Sequence, residues 1–276
     1  MALCLVVGTL WGFGFIATSA ALDAFGPYQV LLVRFAGAAV LAWITCIITK
    51  VKFSKQVWFK GAVCGILMYA AFAFQTFGLK YSDAGSNAFL TAANVVIVPW
   101  LSWMVFGRRP AMRKLAACLL CFAGIGCMSL AQGSFSLRWG DLLSLVCAVL
   151  FAAQIVGLEW AGDLDAAAVN TVQLTVAGIL SVPMALMSDG WPQNVSVQAL
   201  GSVLYLVVFS TWLAFLLQTS AQRHLEASTA SLLLCTESLW ANVFAVLFLH
   251  EILPMISLLG GGLIMISVFM AESSGS

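Results

Sequence analysis

Ten apolar stretches follow one another through this chain with little between them. They run over 3–21, 27–49, 58–79, 84–106, 112–131, 140–160, 166–187, 198–221, 227–249 and 255–271. A helix rises about 1.5 Å per residue, so about 20 apolar residues match the ~30 Å hydrocarbon core of a bilayer. Only 8% of the residues are charged and 62% are hydrophobic. Soluble domains carry about 25% charged residues, so this chain cannot build a water-facing surface. The expected class is an all-α membrane protein with ten transmembrane helices. The first run could be read as a signal peptide, but no positive charge precedes it and no clean small-residue cleavage site ends it. A first spanning helix is the reading adopted. The final Ser273-Ser274-Gly275-Ser276 reads as a polar tail.

The basic residues set the expected orientation. With a cytoplasmic N-terminus, the inside loops hold Lys50, Lys52, Lys55, Lys60, Arg108, Arg109, Arg113, Lys114 and Arg223. The outside loops hold Lys80 and Arg138, and Arg34 lies within the second helix. Nine inside against two outside satisfies the positive-inside rule, with both termini cytoplasmic. The expected location is the cytoplasmic (inner) membrane, multi-pass. The net charge of +1 gives no electrostatic ground for a nucleic-acid partner.

The layout of Gln75–Pro110 returns 143 residues later over Gln218–Pro254. Gln75-Thr76 falls on Gln218-Thr219, Lys80 on Arg223, Asp83-Ala84 on Glu226-Ala227, Ser86 on Thr229 and Leu90 on Leu233. An ungapped offset of half the chain reads as an internal repeat. Five helices is an odd number, so the second set enters the membrane the other way up: two inverted five-helix repeats, residues 1–131 and 132–276, around a central cavity.

Polar groups inside a bilayer are costly and therefore informative. Glu237 lies at the middle of the ninth run. It reads either as a substrate-amine or proton-coupling carboxyl, or as a structural carboxyl bonded to a neighbouring helix. Asn87, Thr91 and Asn94 share one face of the fourth run, and the repeat places Asn94 on Glu237. They read as cavity-lining groups, with interhelical hydrogen bonding as the rival. Pro99 is expected to kink that helix. Gln75 and Gln218 are matched glutamines. Trp11, Phe15, Tyr69 and Trp212 are aromatic candidates for an apolar solute, against the rival that they pack or face lipid. Gln154 and Glu159 are weaker candidates. Arg34, roughly 12 Å into its helix, either snorkels or pairs with a carboxylate. The substrate-binding set is thus Trp11, Phe15, Tyr69, Gln75, Asn87, Thr91, Asn94, Gln154, Trp212, Gln218 and Glu237, with Glu237 as the proton-coupling residue.

Eight cysteines sit in or beside apolar runs, and Cys118-x-x-Cys121 lacks a second ligand pair or nearby histidine. Buried thiols are expected, with no metal and no cofactor. Gly8-x-x-x-Gly12 and Gly260-Gly261-Gly262 suit close helix packing.

Trp11-Gly12, Arg34-Phe35, the QTFGLKYSDAGSNAFLTAANVVIVPWLSW block ending in GRRP, Gly140-Asp141-Leu142, Leu217–Gln222 and Glu237 occur in an order that resembles the drug/metabolite transporter superfamily, in its ten-helix EamA-like branch. The resemblance spans nearly the whole chain. It implies alternating access and export of small metabolites such as amino acids or hydrophobic compounds. The chain departs from the family in having Ser238 where proline often follows the glutamate, and His250-Glu251 where Gly-Glu is common.

The reading is a secondary transporter of small organic metabolites, amino acids or hydrophobic and aromatic compounds, working as an efflux carrier. Its partners are a small-molecule substrate, the lipid bilayer and protons, in a monomer or homodimer. The alternatives are a non-transporting membrane sensor and an integral membrane enzyme. The chain offers neither a soluble signalling domain nor paired acid/base groups for them.

Overall fold

The structure is a computed structural model that describes residues 1–81, 84–130, 139–188, 190–192, 195–250 and 254–272. Asp83, Arg138, Glu251 and the final Ser273–Ser276 lie outside these residues, as does the side chain of Lys80.

The ten expected runs are ten helical runs. They are α1 (Ala2–Leu22), α2 (Pro27–Thr49), α3 (Lys55–Lys80), α4 (Ala84–Ala92 and Asn94–Phe106), α5 (Met112–Leu130), α6 (Trp139–Ala161), α7 (Ala166–Leu186), α8 (Val197–Gln222), α9 (Ala227–Leu234 and Thr236–Leu249) and α10 (Met255–Glu272). Nine of the described helices are long and apolar enough to cross a bilayer, and a shorter apolar helix covers Met255–Met270. With no water in the core, helices that satisfy their own backbone groups are the form such segments must take. Their outer faces carry side chains such as Ile48, Met104 and Phe269, exposed as lipid-facing groups would be. The protein is a multi-pass membrane protein.

Local chemistry sets the helix ends. Pro27 occupies the first turn of α2, and the Gly26 N–H donates to Gln29 Oε1 at 3.0 Å. Ser54, Asp165 and Ser196 cap α3, α7 and α8 by accepting from Val57, Ala168 and Ala199 N–H groups. α4 ends at Gly107, whose φ of 71° is the left-handed conformation that glycine adopts freely.

Three spans are not regular. α4 and α9 each break for one residue, at Ala93 and at Cys235, where ψ flattens to −15° and −13°. These breaks fall one register apart in the 143-residue offset. Pro99 does not mark the break; it sits inside the continuous second piece of α4. α8 is π-helical over Leu206–Leu213.

Three of the five helix pairs matched by the 143-residue offset are in contact: α2–α7, α5–α10 and α4–α9. Contacts α3–α6, α4–α6 and α3–α7 are answered by α8–α1, α9–α1 and α8–α2. Small residues allow the closest crossings. A Cβ on Gly124 would lie 2.6 Å from the Gly260 carbonyl, joining α5 to α10. A Cβ on Gly12 would lie 2.5 Å from Trp240 Cβ, joining α1 to α9.

The loops sort to two ends of the bundle. Lys60 Nζ donates to the Trp160 carbonyl at 2.6 Å, Lys114 pairs with Glu226, and Arg223 donates to the Asp163 carbonyl. These contacts bring the loop regions before α3, α5, α7 and α9 to one end. Gln29 Nε2 donates to the Gly190 carbonyl, tying the loop before α2 to that before α8 at the other end. The alternation requires every span between them to cross.

Candidate functional site

The middle of the bundle is aromatic. Phe72 of α3 and Phe215 of α8 are matched residues in the 143-residue offset, and their rings lie 6.5 Å apart. Trp11 packs on Phe215 at 5.4 Å, Phe35 on Phe72 at 5.3 Å, and Phe151 on Phe72 at 5.2 Å. Tyr69 and Trp212, another matched pair, pack against the same cluster and are half-buried. The structure thus brings Trp11, Tyr69 and Trp212 together. Phe15 is 51% exposed and makes no ring contact among the described residues.

Arg34 enters this cluster from α2. It is 8% exposed. Its Nε donates to Thr211 Oγ1 at 3.0 Å and its Nη2 to Ser210 Oγ at 3.4 Å. Its guanidinium lies 4.9 Å from the Phe72 ring centre. Neither reading of Arg34 made from sequence is what the structure holds: it does not reach a helix end, and its partners are hydroxyls rather than a carboxylate. A charge at the bilayer centre costs about 2.5–3.5 kcal/mol on insertion scales. Hydrogen bonds to a charged group contribute about 1.5–3 kcal/mol and a desolvated cation–π contact about 2. Contacts of this size can hold the guanidinium inside, but they leave its charge uncancelled.

The π-helical turn is what presents those hydroxyls. An added residue in the turn shifts the i→i−4 ladder and frees carbonyls. The Ser210 carbonyl accepts from Trp11 Nε1 at 2.9 Å, and the Trp212 carbonyl from Asn170 Nδ2 at 3.4 Å. Ser210, Thr211, Asn170 and Gln173 were not singled out from sequence, and Thr219 only as part of the repeat and of the Leu217–Gln222 motif. Asn170 and Gln173, two amide side chains three residues apart in a mainly apolar run, were a usable signal. The π turn left none.

A buried polar network joins α6, α7 and α8. Gln173 Nε2 donates to Asn170 Oδ1 at 3.0 Å and Thr219 Oγ1 at 3.2 Å, and Gln154 Nε2 reaches Gln173 Oε1 at 3.4 Å. Gln218 Nε2 donates to Gln222 Oε1, and Gln222 Nε2 to the Ile155 carbonyl at 2.8 Å. Gln218 Oε1 is buried with no partner among the described residues. Leaving such an oxygen unbonded costs about 1–3 kcal/mol.

The α4 stripe is divided between two tasks. Asn87 Nδ2 donates to Ser144 Oγ at 2.8 Å and to the Gln75 carbonyl at 3.2 Å, and Thr91 Oγ1 to Cys147 Sγ at 3.8 Å. These bonds tie α4 to α3 and α6. Asn94, half-buried at the start of the second piece of α4, donates to the Thr91 carbonyl and leaves its own Oδ1 unbonded among the described residues. The Gln75 side chain is half-buried.

Glu237 lies in the first turn of the second piece of α9. Its side chain is half-buried and makes no hydrogen bond or ion pair among the described residues. A helix N-terminus favours a carboxylate by about 0.3–1 kcal/mol, which does not offset the cost of insertion. Its backbone packs on Gly8 and Gly12 of α1. Glu159 has a different place: its Oε2 accepts from the Ala227 N–H at 2.7 Å and so caps α9. The eight cysteines are free thiols, seven of them buried, and among the described residues no cluster could hold a metal. An apolar cavity of 180 Å³ lies apart from these groups, between α3, α4 and α6, lined by Val63, Leu67, Leu101, Val105, Val156 and Trp160.

Residues 1–130 and 138–272 match the EamA-like transporter family. This chain belongs to that family. Among relatives of this EamA-like transporter, an uncharacterized transporter of Archaeoglobus fulgidus is 30% identical over 97% of this chain and 83% of its own length. The uncharacterized transporter YvbV of Bacillus subtilis is 27% identical over 94% of this chain and 86% of its own. A crystal structure 17% identical in sequence superposes with a TM-score of 0.85 over 98% of this chain and 95% of its own, which shows a shared fold. The family and these relatives identify the EamA-like protein as a membrane transporter and point away from the enzyme and sensor readings.

Proposed function

We propose that this EamA-like transporter is a secondary carrier that exports a small organic metabolite by alternating access. Two inverted five-helix halves rock about the central aromatic cluster. The matched contacts α2–α7, α5–α10 and α4–α9 support this two-fold arrangement, with Phe72 and Phe215 near its centre. The end that gathers Lys60, Lys114, Arg223 and most other basic residues is the cytoplasmic end, with both termini there. The substrate is an amino acid or another hydrophobic or aromatic compound.

The observation that carries the reading is Glu237: a carboxyl within a spanning segment, at a helix break, with no partner of its own among the described residues. Such a group is the natural site for a proton or a substrate amine. Asn94 at the matched break and the unbonded Gln218 Oε1 offer further polar contacts to the same solute. The test is reconstitution into liposomes. A thermal-stability screen of the purified protein against amino acids, amines and aromatic metabolites supplies the substrate. Glu237→Gln then abolishes pH-gradient-driven transport and leaves counterflow intact. Gradient-driven transport equal to that of the unmodified protein rules out the coupling role.

A further inference from the structure

We infer that Arg34, with the hydroxyls of Ser210 and Thr211, is a receptor for the carboxylate of the transported solute, and that Phe35 and Phe72 flank the solute's apolar body. This rests on the transporter reading above and adds to it the chemical class of the substrate, an organic anion.

Three observations converge. Among the described Lys and Arg residues, Arg34 alone lies well inside a span rather than in or beside a loop. Lys114 has a carboxylate partner, whereas the partners of Arg34 among the described residues are two neutral hydroxyls and aromatic rings, Phe72 at 4.9 Å and Phe35 at 5.8 Å. A guanidinium has five N–H donors in one plane. Nε and one Nη2 hydrogen are used, and the Nη1 group makes no hydrogen bond among the described residues, which leaves the Nη1–Nη2 edge for a bidentate acceptor such as a carboxylate.

The hydroxyls behave in an uncommon way. Elsewhere in these helices Thr45, Thr171, Thr175, Thr219 and Ser220 donate to the carbonyl four residues back. Ser210 and Thr211 donate to nothing among the described residues and only accept from Arg34. Each therefore keeps a proton to give to an anion held by the guanidinium. The π-helical turn removes them from the usual ladder, and the Trp11–Ser210 bond fixes that turn. Finally, Arg34 corresponds to Ala177 in the offset, so the second half manages this position in the fold without a charge.

The test uses three compounds with one aromatic body: 3-phenylpropionate, phenethylamine and L-phenylalanine. Binding to the purified full chain is read as the shift of its thermal midpoint with concentration. The unmodified protein is stabilised by 3-phenylpropionate and L-phenylalanine. Arg34→Gln weakens the response to 3-phenylpropionate at least tenfold and leaves the response to phenethylamine unchanged. Arg34→Lys, which keeps the charge but loses the fork, and Thr211→Val each weaken it several-fold. These two carry the test if Arg34→Gln does not fold. No stabilisation of the unmodified protein by either carboxylate overturns the proposal. So does an unchanged 3-phenylpropionate response in Arg34→Gln, or in both Arg34→Lys and Thr211→Val. Binding that depends on Arg34 without flux in proteoliposomes defeats the transport reading and leaves the anion site. Flux of another solute without carboxylate binding does the reverse.

Discussion

Replacing Gly12 by alanine is the most direct test of how α1 and α9 meet. A methyl group at this position would lie 2.5 Å from Trp240 Cβ, 2.8 Å from the Ala241 nitrogen and 3.0 Å from the Glu237 carbonyl. Two of those three atoms are backbone, so no rotamer change relieves the clash. The second piece of α9 has to move as a body by about 1 Å to reach ordinary contact, and it carries Glu237 with it. Overpacking of this kind costs about 1–3 kcal/mol. The backbone contacts put Gly12→Ala near the upper end, at roughly 2–3 kcal/mol. At about 2–4 °C per kcal/mol for a chain of comparable size, the apparent midpoint falls by roughly 5–10 °C. Unfolding in detergent is commonly irreversible, so the comparison is made at one scan rate. Gly201→Ala is the control. It lies in α8 with nothing within 4 Å of the added methyl, and a helical glycine-to-alanine change gains up to about 1 kcal/mol. A Gly12→Ala protein as stable as Gly201→Ala would refute the close crossing of α1 and α9.

Two further substitutions separate structural polar groups from ligand-binding ones. Glu159→Ala removes the acceptor for the Ala227 N–H and lowers stability by about 1 kcal/mol, read as a midpoint drop of roughly 2–4 °C, with substrate affinity unchanged. Gln173→Leu leaves Gln154, Asn170 and Thr219 short of a partner and costs about 1–3 kcal/mol. Adding Gln154→Leu recovers part of that loss, because removing both members of a buried pair costs less than orphaning one.

What could be read from the sequence was whatever repeats along it. Apolar runs of bilayer length gave all ten helices, and the caps at Gly26-Pro27, Ser54, Asp165 and Ser196 lie where the runs begin. Helix irregularity was not legible. Ala93 and Cys235 are ordinary helix residues, and their breaks depend on what packs beside them. Pro99 was the visible disturbance, yet the helix continues through it. For the site, residue type was legible and partnership was not. Asn87 and Thr91 share a face with Asn94, as their spacing requires, but Ser144 and Cys147 of α6 take the first two. Arg34 stood out as a cost, while its partners lie more than 170 residues away, in a turn whose π geometry has no sequence mark.

Within the spans, matched uncharged groups agree at several positions while two ionisable groups have no counterpart. Phe72 answers Phe215, and Gln75 answers Gln218. Arg34 answers Ala177, and Glu237 answers Asn94. Arg34 and Glu237 are thus ionisable groups within spans whose matched positions are uncharged, and the two are of opposite sign. If these charges served packing alone, pairing them with each other would lower the cost of both. The protein instead holds Arg34 on neutral hydroxyls and aromatic rings and leaves Glu237 with no bonded partner among the described residues. A buried charge without a counter-charge is costly until something supplies one. A solute with an anionic end, a cationic end, or both would relieve that cost on entering. The stabilisation it brings is then largest where the repeat is least symmetric, which is why Arg34 and Glu237 should discriminate among solutes while Phe72 and Phe215 do not.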